Sequence, residues 1–215
     1  MDICQPIPIK IILVGSLNVG KTSLLTKYDE GKNQRKTLNA SYVNISKIIN
    51  GITFELKIWD TAGQEKYKSL TKLYLKDAKI AILVYSIDNI ESFNDLDEWL
   101  NLVKNTNDNI IYGVAANKSD LSSEQKVPDE KGKEYANSIG AEWRATSAIT
   151  EGKGIDNFIN DLLLKYYNTY FKLGHGYPSI SLTSSIETSL PQQKNKSCCS
   201  GDNNNNTRNN TEIIK

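Results

Sequence analysis

The sequence predicts an α/β fold: a six-stranded, mostly parallel sheet with one antiparallel strand and helices on both faces. Three observations predict it. Short apolar runs alternate with segments of helical period through roughly the first 170 residues, the pattern of repeated strand–helix units. Two of the runs are separated only by Asn50-Gly51, a dipeptide that favours a tight hairpin, so their strands are expected to be antiparallel neighbours. The first run ends in a glycine turn that opens onto a helical segment.

The strand runs are residues 9–14, 43–49, 53–59, 79–85, 110–116 and 142–146. Helical patterns fall at 21–29, 67–75, 91–105, 129–138 and 154–171. One antiparallel edge strand on a parallel sheet is ordinary for such an arrangement. Residues 30–36 interrupt the alternation with a polar, basic segment that has no apolar period. They read as a loop between the first helix and the hairpin, within reach of a ligand at the glycine turn. From Lys172 the composition turns Ser/Thr-rich and then Asn-rich, too polar to bury a core, so this stretch is expected to be disordered. His175, the single histidine, stands there between glycines and reads as a solvated loop residue rather than a ligand. The expected organisation is an extension over 1–7, one domain over 8–171 and a tail over 172–215.

Bulk properties narrow the classes. A chain of 215 residues with 39% hydrophobic composition supports one domain with a substantial core. A net charge of +1 gives no electrostatic basis for nucleic acid as the main partner. The three cysteines, Cys4, Cys198 and Cys199, form neither a spaced disulfide framework nor a C-x-x-C metal pattern, which fits a reducing cytosolic setting. The N-terminus reads as no signal peptide, and Asp2 stands where N-myristoylation requires glycine. The longest apolar stretch, residues 80–85, is too short to span a bilayer, so membrane association would need an attached lipid or a partner.

The chemistry is concentrated after the strands. Gly15-Ser16-Leu17-Asn18-Val19-Gly20-Lys21-Thr22 reads G-x-x-x-x-G-K-T between a strand and a helix, the context of a phosphate-binding loop and of the P-loop NTPase fold. Glycine admits close approach of a phosphate. The N–H groups from Gly15 and Leu17 through Asn18, Val19 and Gly20 to Ser23 form an anion cradle at the helix N-terminus. Lys21 can reach the outer phosphates, and the Thr22 hydroxyl can ligate Mg²⁺. Thr37 offers a second hydroxyl at the end of the polar loop, although alone it reads as a turn residue. Asp60-Thr61-Ala62-Gly63-Gln64 follows a strand on the side where such sheets bind ligands. Asp60 suits Mg²⁺, the Gly63 N–H a terminal phosphate, and Gln64 a water aligned for in-line attack. Asn117-Lys118-Ser119-Asp120 follows another strand. The Asp120 carboxylate can accept from two donors on one edge of guanine, a pair that adenine lacks. Lys118 can lie over the ring, Asn117 can tie its loop to the phosphate loop, and Ser147-Ala148 can turn backbone toward the base oxygen. Taken singly, each later segment also reads as a polar turn; the phosphate loop gives them a common purpose.

Together these segments, in this order, resemble the five nucleotide-binding motifs of Ras-like small GTPases. Residues 57–65, 66–71 and 82–87 resemble Rab signature segments, and residues 37–42 and 127–141 are most similar to the endosomal branch of Rabs. The resemblance covers residues 8–171. It implies a Rab-type GTP/GDP switch in vesicle and endosomal traffic that hydrolyses GTP to GDP and phosphate. Lys21 and Gln64 would be the catalytic residues, and Thr22, Thr37 and Asp60 would surround Mg²⁺. Tyr42, Trp59 and Tyr74 fall where Rabs carry an aromatic triad read by effectors; on their own they read as half-buried aromatics. Cys198-Cys199 resembles the cysteine pair that Rabs geranylgeranylate, which would anchor the protein to the cytosolic face of an endosomal membrane. The implied partners are an exchange factor, a GTPase-activating protein, effectors and a GDP-dissociation inhibitor or escort protein, all acting on a monomer.

The sequence departs from the pattern in four places. Leu17 replaces the glycine or small residue of relatives and is expected to crowd Gln64 and an incoming arginine finger, slowing hydrolysis; the alternative is that it packs outward. The first loop is short and lacks the aromatic that relatives stack on guanine, which would weaken affinity or speed exchange. Ile149 also replaces a lysine common after the Ser-Ala pair. Residues 200–215 follow a cysteine pair that stands near the end in relatives, so clipping, an unprenylated pair and another mode such as palmitoylation all stay open.

Overall fold

The alternation of apolar residues in the first strand fixes the layers of the molecule. In β1 (Ile7–Val14), Ile9, Ile11 and Leu13 enter one core, while Ile12 and Val14 enter another on the opposite face. A strand buried on both faces belongs in the middle of a sheet. The computed structural model describes residues 5–29, 41–61, 74–107, 109–150 and 154–172. All of them lie in the unit Met1–Ser179.

The other strands are β2 (Ser41–Ile49), β3 (Ile52–Asp60), β4 (Ile80–Ser86), β5 (Ile111–Asn117) and β6 (Glu142–Ala145). Their order is β2-β3-β1-β4-β5-β6, with β2 antiparallel to β3 and every other pairing parallel. The expected six-stranded mixed sheet is present. Each strand lies within two residues of its sequence reading. Asn50 (φ 49°) and Gly51 (φ 80°) both adopt left-handed backbone, the requirement of the tight turn that joins β2 to β3. The chain leaves β1 toward β3 and returns to its other side at β4, so the strand order reverses beside the C-terminal end of β1. Ligands of open α/β sheets bind at such a point.

Among the described residues the helices with full bounds are α1 (Lys21–Asp29), α2 (Ile90–Asn94), α3 (Leu96–Lys104), α4 (Asp129–Ser138) and α5 (Ile155–Tyr167). Leu24 and Leu25 of α1, with Phe158, Ile159, Leu162 and Leu163 of α5, cover one face. Phe93, Leu96, Trp99, Leu100 and Val103 of α2 and α3, with Ala136 of α4, cover the other. Burying each such large apolar side chain contributes about 1.5–3 kcal/mol.

Two helices differ from their sequence readings. The one expected over 91–105 is a pair meeting at Asp95, whose flattened backbone (φ −72°, ψ −10°) lets its carbonyl accept from Glu98 at 3.1 Å in a tighter turn. The last helix is α-helical only to Tyr167 and widens into a π-turn over Asn168–Lys172. Phe171 there packs edge-on against Phe54 at 6.1 Å between ring centroids. Of the helix read over 67–75, only Tyr74 and Leu75 are described, and both are helical.

Candidate nucleotide-binding site

The glycine turn lies between β1 and α1, packed so closely that its glycines are required. A Cβ at Gly15 (φ +147°) would lie 2.1 Å from the Val84 carbonyl oxygen of β4. A Cβ at Gly20 (φ +90°) would lie 2.4 Å from Asn117 Nδ2. Asn18 also takes left-handed backbone (φ 62°), which Asn tolerates better than most residues. Inside this loop the Lys21 ammonium donates to the carbonyl oxygens of Gly15 (2.7 Å) and Ser16 (2.8 Å), and its residue is 4% exposed. The cation is therefore held under the cradle by short bonds that a phosphate oxygen could replace. Val19 is buried, whereas Leu17 is 52% exposed.

At the end of β3, Asp60 is buried, and Thr22 Oγ1 donates to its Oδ2 at 2.5 Å. The next residue, Thr61, donates to the Leu13 carbonyl at 2.6 Å, fixing the strand end against β1. One hydroxyl and one carboxylate in contact are hard oxygen donors. Mg²⁺ takes few protein ligands beside phosphate and water, so this pair fits it. No cluster of three or more His, Cys, Asp or Glu that could form an all-protein metal cage occurs among the described residues.

The second loop cluster sits at the ends of β5 and β6. Asn117 is buried; its amide donates to the Val19 carbonyl at 2.6 Å, and its side-chain oxygen accepts from Thr146 Oγ1 at 3.2 Å. Ser147 Oγ donates to Asp120 Oδ1 at 2.5 Å and accepts from the N–H groups of Ile149 and Thr150, both at 3.1 Å. Lys118 holds left-handed backbone (φ 60°), and its ammonium lies 3.6 Å from Asp88 on the loop after β4. Burial raises the Asp88 carboxyl. The Ser86 hydroxyl bond and the Lys118 charge outweigh it, so its pKa is lowered and it stays ionised beside Lys118.

The structure thus brings Gly15, Lys21, Thr22, Asp60, Asn117, Asp120 and Ser147 to one edge of the sheet through these bonds. Ser23 is in the first turn of α1, and Ala148 packs against the core beneath that helix. Ile149 is 77% exposed. Thr37, Gly63, Gln64, Cys198 and Cys199 lie outside the described residues. Sequence reasoning missed Thr146 as the hydroxyl that orients Asn117, and Asp88 as the partner of Lys118. Neither carries a motif of its own; each is found only once β4, β5 and β6 are adjacent.

Beside Asp60 on β3, Trp59 brings Tyr42 and Tyr74 together. Tyr42 and Trp59 are a cross-strand pair of β2 and β3 with centroids 5.0 Å apart, and Trp59 and Tyr74 are 5.5 Å apart. The Lys57 ammonium lies 4.8 Å from the Tyr42 ring centre, and that of Lys10 lies 5.2 Å from Trp59. No helix of the described residues is long and apolar enough to cross a membrane.

The Ras family matches residues 10–168. The chain is 38% identical over 157 residues to Ras-related protein Rab-21 of Geodia cydonium, covering 71% of this chain and 68% of that one. It is 38% identical over 164 residues to Rab-21 of Homo sapiens, covering 74% and 72%. It is 32% identical over 192 residues to Ras-related protein Rab5 of Nicotiana tabacum, covering 87% and 92%. The chain belongs to the Ras family and within it to the Rab small GTPases of the endosomal branch, enzymes that hydrolyse GTP.

Proposed function

We propose that this Rab GTPase is a GTP/GDP switch of endosomal membrane traffic, acting on the cytosolic face of that membrane. The observation that carries the reading is the contact of Thr22 with Asp60 beside the buried Lys21 ammonium. Phosphates would be held by the N–H groups of residues 15–23 and by Lys21. Thr22, Asp60 and Thr37 would hold Mg²⁺, which when bound neutralises charge on the phosphates. Guanine would be read by Asp120, with Lys118 on its face, Asn117 joining the two loops, and Ser147 and Ala148 lining the pocket. Gln64 would orient the attacking water, so catalysis is positioning and electrostatics. Thr37 and Gly63 would answer to the terminal phosphate and order their loops, which hydrolysis releases. Single-turnover hydrolysis tests this: Gln64→Leu should slow it at least about tenfold without loss of GTP binding, whereas unchanged turnover would remove Gln64 from the reaction.

Regulators follow from the same reading: an exchange factor, a GTPase-activating protein, and a GDP-dissociation inhibitor or escort protein. Effectors would read Tyr42, Trp59 and Tyr74. Residues 172–215 would serve as the tail, with Cys198 and Cys199 as lipidation sites.

A second reading concerns the rate. Leu17 is half exposed on the phosphate loop, a position from which its branched side chain can obstruct an incoming arginine finger. Such a finger is worth about 10³–10⁵ in rate, so its exclusion would leave a long-lived GTP form. Leu17→Ser should then hydrolyse GTP faster with an activator present; equal rates would leave an ordinary switch.

A further inference from the structure

The junction between α2 and α3 carries a carboxylate that caps neither helix. Asp95 stands at the N-cap of α3 but makes no side-chain cap bond. An Asp there ordinarily accepts from first-turn N–H groups. Asn89 does this for α2, accepting from Glu91 and Ser92. The Asp95 side chain turns instead to the phosphate loop, where it accepts the Ser16 hydroxyl at 2.7 Å. The same Ser16 oxygen accepts the indole N–H of Trp99 at 3.4 Å, from one turn further along α3. Trp99 is buried in the core of that face. Ser16 is also one of the two residues whose carbonyls hold Lys21. Two side chains outside every nucleotide motif therefore fix the residue that shapes the floor of the cradle.

We infer that Asp95 is a positioning residue for nucleotide binding, acting through Ser16. The Asp95–Ser16–Trp99 link holds a loop containing three left-handed residues, Gly15, Asn18 and Gly20, in its binding form before nucleotide arrives. Pre-ordering removes a cost that binding would otherwise bear, and its loss appears mainly as faster release. This rests on the reading of the loop as the guanine-nucleotide site.

The test is release of labelled GDP from the full-length protein, chased with excess unlabelled GDP, beside a thermal melt of each variant. Asp95→Ala and Ser16→Ala should each speed release about three- to tenfold, the scale of one exposed hydrogen bond to a carboxylate. Asp95→Asn keeps an acceptor oxygen and should stay within about twofold of the native rate. The double variant should release no faster than the faster single one, because both remove the same bond. Native release rates in both single variants, or Asp95→Asn as fast as Asp95→Ala, would overturn the inference alone. A native protein that retains no labelled GDP would overturn the nucleotide reading, and this inference with it.

Discussion

The amide of Asn117 donates to the carbonyl of Val19 at 2.6 Å, and the same nitrogen occupies the space that a Cβ on Gly20 would need. This one side chain makes the loop after β5 and the phosphate loop a single body. Asn117→Ala would leave the Val19 carbonyl and the Thr146 hydroxyl without their buried partner. We expect a loss of about 1–3 kcal/mol in urea unfolding and a faster release of nucleotide. Unchanged release would separate the two loops functionally.

The phosphate-loop Gly15 should respond more strongly to substitution than Gly51 of the hairpin, although both have positive φ. A Cβ at Gly15 meets the Val84 carbonyl at 2.1 Å, backbone that cannot step aside, whereas a Cβ at Gly51 (φ +80°) meets nothing within 4 Å. Gly51→Ala should cost only the left-handed penalty, about 1–2 kcal/mol, while Gly15→Ala should cost more and abolish GTP binding. Thermal melts of the two variants check the order; equal destabilisation would contradict it.

Much of this arrangement was legible in the sequence, for identifiable reasons. Asn50-Gly51 announced the hairpin because few dipeptides accept two left-handed residues in succession. The placement of Lys21, Thr22 and Asp60 was legible because each lies at or soon after the C-terminal end of a strand of the sheet. The break at Asp95 was not legible: Phe93, Leu96, Trp99, Leu100 and Val103 keep an unbroken apolar period through it. The bonds of Asp95 to Ser16 and of Lys118 to Asp88 were equally hidden. They depend on the order β1-β4-β5, which periodicity along the chain does not encode.

Alkaline pH should weaken the fold through buried Tyr85 and half-buried Tyr135. Burial, aided by the charge of Asp129 and opposed by the bond from Trp143, pushes the Tyr85 hydroxyl up from 10.0 to about 12. Burial and the bond donated to Asp97 push Tyr135 up as well. The unfolded chain loses these protons first. The Tyr85 contribution is therefore complete below about pH 10 and is lost as pH rises from there through about 12. Urea midpoints should fall steeply between about pH 10 and about pH 11.5, and less steeply in Tyr85→Phe. An equal slope in that variant would contradict the assignment.

The aromatic triad offers a separation of functions. Tyr42 packs at a tilt against Trp59 across the hairpin, on the face of the sheet away from the α1 and α5 core. Tyr42→Ala should leave single-turnover GTP hydrolysis within about twofold of native, while weakening capture of a GTP-dependent partner by about 1–2 kcal/mol or more. Loss of hydrolysis would instead make the ring part of the nucleotide site.

The cluster around Lys21, Asp60, Asn117 and Asp120 is proposed as a guanine-nucleotide site. The most direct measurement is the nucleotide carried by freshly purified protein, released by denaturation and identified by chromatography. GDP or GTP is expected in equal molar amount with the chain. Adenine nucleotide in that position, or an empty protein that takes up neither GDP nor GTP with Mg²⁺, would contradict it.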